Sequence, residues 1–314
     1  MFSFSDGVCF DILKIRVSVG KVGFDLKDLS NDVVVHRCVE GLEFLQFRKL
    51  LEFGVKHGYT LKPHFFNTRP GVVSKETYDK AVENYIEFCD VIDIDCNKLV
   101  KCNQTHTNCV KVVDKLPGKM SIEEDEFKDV DGLVTNVEGV SLASCNADCI
   151  LLLLYDPVKK VIGNIHSGWR GTFAKIAVNG VNSMVQNYGC NPEDIIVCIC
   201  PSIRKCHFEV KDDVKNMCEE IFSYTNRLND IIEYAGKDEE GSQKWFIDTV
   251  LITTILLNEC GIDDNNIYDC GICSFCNKDI INSCRGDGKN YGLGTAVISL
   301  SWKRMCWKYN TIFI

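Results

Sequence analysis

The chain has 314 residues, 46% of them hydrophobic and 25% charged, with a formal net charge of −9. That length allows one large domain or two modest ones with a substantial core, and the acidic balance argues against nucleic acid or an anionic membrane as the main partner, since both demand a basic surface. No apolar run reaches membrane-spanning length and residues 1–7 lack the basic region of a signal peptide, so a cytoplasmic protein is expected, its nineteen cysteines mostly reduced and buried.

In chain order, residues 12–19 alternate like a strand, residues 20–24 are turn-like, and residues 39–59 carry apolar side chains at helical spacing. Residues 1–62 therefore read as an N-terminal extension packed on a core formed by 63–314. Residues 64–74 read as a strand that ends in a loop, with Arg69 at the strand's end just before Pro70-Gly71; a helix follows over 77–90, and residues 98–101 lead to Asn103-Gln104-Thr105-His106. A β pattern resumes at 109–113, an acidic connection spans 121–131, and residues 132–135 and 140–143 lead to a hairpin. Its strands are 150–155 and 161–165, joined through Asp156-Pro157, with Pro157 setting the fixed φ of a turn. In the simplest register Cys149 stands opposite His166. Beyond lie a helix over 171–188 stopped by Gly189, a strand over 194–200, a helix over 212–222 and a polar loop over 234–244. A helix over 248–260 ended by Gly261 and strands at 266–270 and 294–300 complete the chain. Helices and strands mix without βα alternation, which predicts an α+β fold of layered mixed β-sheets flanked by helices. No Gly-rich dinucleotide or phosphate loop is present.

Cys149 and His166, brought together by a hairpin, are what either a metal site or a nucleophile–base pair requires. His166 is followed by Ser-Gly-Trp-Arg-Gly, whose glycines let backbone approach a ligand and whose helix start favours an anion; the bland alternative is a tight turn with Trp169 as a core plug. Cys270-x-x-Cys273-x-x-Cys276, with Cys284 nearby, has the spacing of a zinc or iron–sulfur pair. No second well-spaced pair follows, so in a chain this rich in cysteine a packing role is the expectation, as it is for Cys198, Cys200 and Cys206. Arg69 and Arg285 sit in loops beside glycines and become anion ligands only if the fold brings them to one pocket.

Gln104-Thr-His106, Ala147-Asp-Cys149 and His166-Ser-Gly-Trp-Arg-Gly171, in that order, resemble the YfiH-like family, also called the laccase-domain or multicopper polyphenol oxidoreductase family and regarded as purine nucleoside phosphorylases. Phe66-Asn-Thr-Arg-Pro-Gly-Val-Val-Ser74, Asp131-Gly-Leu-Val-Thr135, the segment from Pro201 to Val210, Cys273-Ser-Phe-Cys276 and Ser283-Cys-Arg-Gly-Asp-Gly288 are similar to its other motifs. The likeness runs from about His64 to Leu300. It implies an α/β/β/α sandwich and a metal, zinc with copper also possible, held by His106, Cys149 and His166, which would be the catalytic cluster. Three such donors leave a fourth position for water or substrate. Departures fall at the periphery: Val72, Cys200, Gly286 and Leu293 stand where the family has glycine, glycine, arginine and arginine.

The resemblance implies a purine nucleoside phosphorylase acting on adenosine, inosine and methylthioadenosine with phosphate, and an adenosine deaminase side activity. Arg69, Arg285 and Arg170 are then the candidate phosphate ligands, and Asp148 a turn cap or a proton carrier. A cysteine hydrolase or amidase using Cys149 and His166 is the alternative. A copper-dependent polyphenol oxidase is disfavoured by only six histidines without a His-x-His pair, and a scaffold with a structural zinc would need four protein ligands. Oligomeric state is not legible.

Overall fold

The computed structural model describes residues 27–69, 72–122 and 127–300. The strand expected over 12–19, the turn over 20–24 and part of the connection over 121–131 lie outside them. The described strands are, in chain order, β1 (Val34–Val39), β2 (Leu42–Phe47), β3 (Lys56–Thr60), β4 (Leu99–Lys101), β5 (Val110–Val112), β6 (Gly132–Thr135), β7 (Ser141–Asn146), β8 (Ile150–Asp156), β9 (Val161–Ser167), β10 (Ile196–Ile199), β11 (Glu209–Lys211), β12 (Ile232–Lys237), β13 (Gln243–Ile247), β14 (Ile267–Asp269) and β15 (Gly294–Ser299). They form two six-stranded sheets, ordered β1-β2-β3-β15-β7-β4 and β14-β10-β8-β9-β6-β5, and a small sheet β11-β13-β12. Both large sheets are mixed: β4 runs parallel to β7, β5 to β6 and β10 to β14, while the other pairings are antiparallel.

The hairpin at the centre shows why the sheets stack. Along β8, Leu151, Leu153 and Tyr155 join the core between the two large sheets, meeting Tyr59, Leu142 and Ala296 of the first. The alternate residues Ile150, Leu152 and Leu154 pack with Val181 and Met184 of the helix Ile176–Tyr188 and Leu257 of the helix Thr249–Glu259. A strand buried on both faces has to be apolar throughout, which is what the run Ile-Leu-Leu-Leu-Leu-Tyr supplies. The outer face of the first sheet is covered by Tyr85 and Phe88 of the helix Lys75–Val91. The result is a helix–sheet–sheet–helix sandwich, the α+β layered fold expected. Asn164 of β9 ties the sheets together, donating to the Leu142 and Ala296 carbonyls at 3.0 and 2.9 Å.

Several local expectations are corrected. Residues 39–59 are not a helix: β2, a short helix Arg48–Glu52 and β3 occupy them. Their apolar residues split by strand alternation, Leu42 and Phe44 facing the covering helix while Leu45 and Phe47 face the inter-sheet core. Strands β1 to β3, all before residue 62, thus lie in the same sheet as β15 and β7. The described part of 64–74 is irregular, not a strand. The helix expected over 171–188 is two, Trp169–Phe173 and Ile176–Tyr188, separated where Lys175 takes a left-handed φ of 61°. The polar loop over 234–244 is the β12–β13 hairpin, with Ile232 and Ile247 facing the core and Tyr234 packed edge-on to Trp245 at 5.2 Å. Among the described residues no helix is long and apolar enough to cross a membrane.

Candidate active site

Strand β9 delivers His166 near its end, and β8 begins directly after Cys149. The register pairs Leu151 with His166 and Ile150 with Ser167. Cys149 is therefore not opposite His166 as the simplest register had it, because the turn closes with Asp156 paired to Val161. The two side chains still meet at the open end of the hairpin.

His106 arrives from the loop between β4 and β5, and that loop is fastened at two points. Gln104 clamps the backbone of Cys145, accepting its N–H at 2.8 Å and donating to its carbonyl at 2.7 Å. Asp131 then accepts the backbone N–H groups of Thr105, His106 and Thr107 at 3.2, 3.0 and 2.8 Å and the Thr107 hydroxyl at 2.7 Å. These bonds hold His106 at a φ of 65°, a left-handed conformation that a non-glycine residue takes only when its surroundings impose it. The same carboxylate accepts His166 Nδ1–H at 2.7 Å, which leaves His166 Nε2 to face the other two groups. Cys149 Sγ lies 3.7 Å from His106 Nε2, and one donor atom from each of His106, Cys149 and His166 lies within 4.8 Å of the others.

Electrostatics follows from burial and contact. Burial opposes ionisation of Asp131, yet the bonds from His166 and Thr107 outweigh it and bring the carboxyl down to about 2. Burial likewise opposes the Cys149 thiolate, but His166 and His106 beside it pull the thiol down to about 6. His166, which burial alone would lower, is raised to about 9 by the Cys149 sulfur and Asp131. Two imidazoles and an easily ionised thiol around one point, with the outer nitrogen of one imidazole locked to a carboxylate, fit a thiophilic metal ion with a position left open.

A cleft that opens at Cys149 is lined also by Asp148, Ser167, Trp169, Phe208 and Arg285, among others. Both Asp148 oxygens are engaged: Oδ1 accepts the Ser274 and Ser283 hydroxyls at 2.6 Å each, and Oδ2 accepts the Arg285 backbone N–H at 2.6 Å. The Arg285 guanidinium is held by the neutral carbonyls of His207 and Glu209, at 3.3 and 3.1 Å, rather than by a carboxylate. Arg69 bonds Asn67 and the Tyr291 hydroxyl, at 3.2 and 3.3 Å, outside the cleft lining. Arg170 is exposed, its guanidinium 4.2 Å from the Trp169 ring centroid. The glycines around Trp169-Arg170 serve the protein itself rather than a ligand. A Cβ on Gly168 would come within 2.5 Å of His106 Cδ2, and one on Gly171 within 3.0 Å of the Thr107 carbonyl. Asp131 and Phe208 were missed as site-building residues; a carboxylate directly before the buried strand β6 was the available signal for the first.

The sandwich and its cluster place the molecule in a known class. Residues 54–301 match the family model of the multi-copper polyphenol oxidoreductase laccase, and the chain belongs to that family. The crystal structure of the Bacillus licheniformis hypothetical protein YfiH superposes with a TM-score of 0.69 at 25% identity, covering 82% of this chain and 96% of that one. Purine nucleoside phosphorylase LACC1 of Mus musculus is 29% identical over 78% of this chain, which spans 55% of the mouse protein's length. Adenosine deaminase RL5, from an unknown prokaryotic organism, is 31% identical over 64% of this chain and 74% of its own.

Proposed function

We propose that the chain is a purine nucleoside phosphorylase acting on adenosine, inosine and methylthioadenosine at the His106/Cys149/His166 cleft, with adenosine deamination as a side activity there. The observation that carries the reading is one cleft whose lining holds both Cys149 of the three-donor cluster and Arg285, a guanidinium bonded to neutral carbonyls that leave its charge for an incoming anion. The likeness to a purine nucleoside phosphorylase and to an adenosine deaminase supports the substrate class.

Phosphorolysis requires phosphate and nucleoside in one pocket, and holding both is where binding residues lower the barrier. Arg285 would bind the phosphate dianion, with its backbone N–H already fixed by Asp148 so that the side chain starts from a rigid point. Trp169 and Phe208 offer aromatic surface to the purine. The C1′–N9 bond breaks with its electron pair passing to the base, which takes up a proton, while a phosphate oxygen bonds C1′. His106, Cys149 and His166 would hold zinc, which supplies a Lewis acid next to the nucleoside and, for deamination, an acidified water.

The test is inosine with and without phosphate, followed by chromatography. Hypoxanthine and ribose 1-phosphate should form only with phosphate, and Arg285→Gln should raise the KM for phosphate roughly tenfold or more, the cost of one charged hydrogen-bonding partner. Base release at the same rate without phosphate would overturn the reading.

A further inference from the structure

A second cluster adjoins Arg285, whose guanidinium donates to the His207 carbonyl. Cys206 and His207, between β10 and β11, face Cys273 and Cys276 of the turn after β14, and their donor atoms all fall within 4.8 Å of one another. Cys206 Sγ is 4.0 Å from Cys276 Sγ, and His207 Nδ1 is 3.1, 3.4 and 3.8 Å from the sulfurs of Cys206, Cys276 and Cys273. Tetrahedral zinc with bonds of about 2.3 Å to sulfur and 2.0–2.1 Å to nitrogen demands ligand separations of about 3.8 Å between sulfurs and about 3.6 Å from sulfur to nitrogen. The sulfur-to-nitrogen separations bracket their value and the sulfur pair lies close to its own. They are far from the roughly 2.05 Å of a disulfide, and the cysteines of the described residues are free.

We propose that Cys206, His207, Cys273 and Cys276 form a closed structural zinc site, distinct from the His106/Cys149/His166 cluster. Four protein donors leave no position for substrate, the mark of a structural rather than a catalytic site. The donors are oriented in advance. Phe275 stacks on the His207 ring at 4.2 Å and 23°, which holds the ring plane while Nδ1 faces the sulfurs. The backbone of Cys276 and Arg204 beside Cys273 favours its thiolate. Lys27 Nζ donates to Asn277 Oδ1 at 2.6 Å, bringing a positive charge beside three thiolates whose zinc complex carries one net negative charge.

The cysteine-rich run divides in the fold. Cys270 is buried in the inter-sheet core, and Cys284 lies on the side of Asp148 and Cys149. Only Cys273 and Cys276 remain, completed by a Cys-His pair 66 residues upstream that includes Cys206, expected in the core but exposed. What the metal would fasten is the wall of the cleft. Ser274, within the Cys273–Cys276 turn, bonds Asp148, and the His207 carbonyl holds Arg285.

The experiment is metal analysis of the full chain purified under reducing conditions, as wild type, Cys149→Ala, Cys276→Ser and His207→Cys. Cys276→Ser should lose one zinc equivalent relative to wild type while Cys149→Ala keeps that equivalent, and His207→Cys, which preserves four donors, should retain it. Should Cys276→Ser not fold, cobalt loading of Cys149→Ala replaces it. Strong thiolate-to-cobalt charge transfer with tetrahedral d–d bands is the expected result there. Wild-type zinc content in folded Cys276→Ser, or cobalt-loaded Cys149→Ala without those bands, overturns the proposal.

Discussion

Asp131 Oδ1 receives both the His166 ring N–H, at 2.7 Å, and the His106 backbone N–H, at 3.0 Å, so one carboxylate oxygen sets the positions of two histidines that are sixty residues apart in sequence. Neither histidine is held by its own strand alone. The carboxylate makes them a pair before any ligand arrives, at the cost of desolvating a charge, and that cost is offset by the bonds it accepts.

Asp131→Asn preserves the shape but turns an NH2 group toward donors that need an acceptor. Metal affinity at His106/Cys149/His166 should fall about 10- to 100-fold, as for other carboxylates that orient a ligating histidine. Chelator competition measures it. Unchanged affinity in a folded variant would show that the histidines need no such support.

Gly168→Ala tests the close approach at the start of the helix Trp169–Phe173. The φ of −64° suits alanine, so backbone strain is not the issue. The new Cβ would lie 2.5 Å from His106 Cδ2 and 3.2 Å from Cys149 Sγ, and the histidine must move. The expected outcome is a folded protein, destabilised by about 1–3 kcal/mol, whose metal at this cluster is lost. Thermal unfolding and metal content read the two effects separately, and a variant with wild-type metal content would refute the packing argument.

Cys149 reports on whether metal or nucleophile is the better description of the cluster. In metal-free protein its thiol, lowered to about 6, ionises across that pH rather than near 9. Alkylation by iodoacetamide should therefore rise through pH 6, and zinc should suppress it by occupying the thiolate. Labelling that ignores zinc would instead favour the cysteine hydrolase alternative.

His57 predicts an acid-side loss of stability unrelated to the cleft. It is fully buried and neutral, donating Nδ1–H to the Val55 carbonyl at 2.8 Å and accepting the Phe47 N–H on Nε2 at 2.7 Å. Burial lowers its pKa from 6.5 to about 4 despite those backbone bonds. The unfolded chain then binds more protons between these values, so the contribution is complete above pH 6.5 and declines as pH falls toward 4. Its size is on the order of 3 kcal/mol. Denaturant midpoints of wild type and His57→Gln across that range should converge at low pH; parallel curves would remove His57 as the cause.

Sequence alone determined the features that repeat locally. The apolar run at 150–155 read as a strand covered on both faces, the helix Asp212–Phe222 stands at its expected bounds, and Gly189 and Gly261 end helices at left-handed φ values of 66° and 92°. The family resemblance carried by Gln104-Thr-His106, Ala147-Asp-Cys149 and His166-Ser-Gly-Trp-Arg-Gly171 pointed to the three donors that the fold brings together.

Tertiary structure decided everything that depends on what covers a residue. Residues 42–47 fit a helical period and a strand period equally well, and only the sheet on one side and the helix Lys75–Val91 on the other selected the strand. The hairpin register slipped by two positions because its turn, not its open end, sets the pairing. Cys273-x-x-Cys276 has metal-pair spacing but no second pair near it in sequence, and Cys206-His207 joins it through the chain path that lays β10 parallel to β14. Contacts across 66 residues leave no local periodicity, because the physical constraint acts between surfaces and not along the chain.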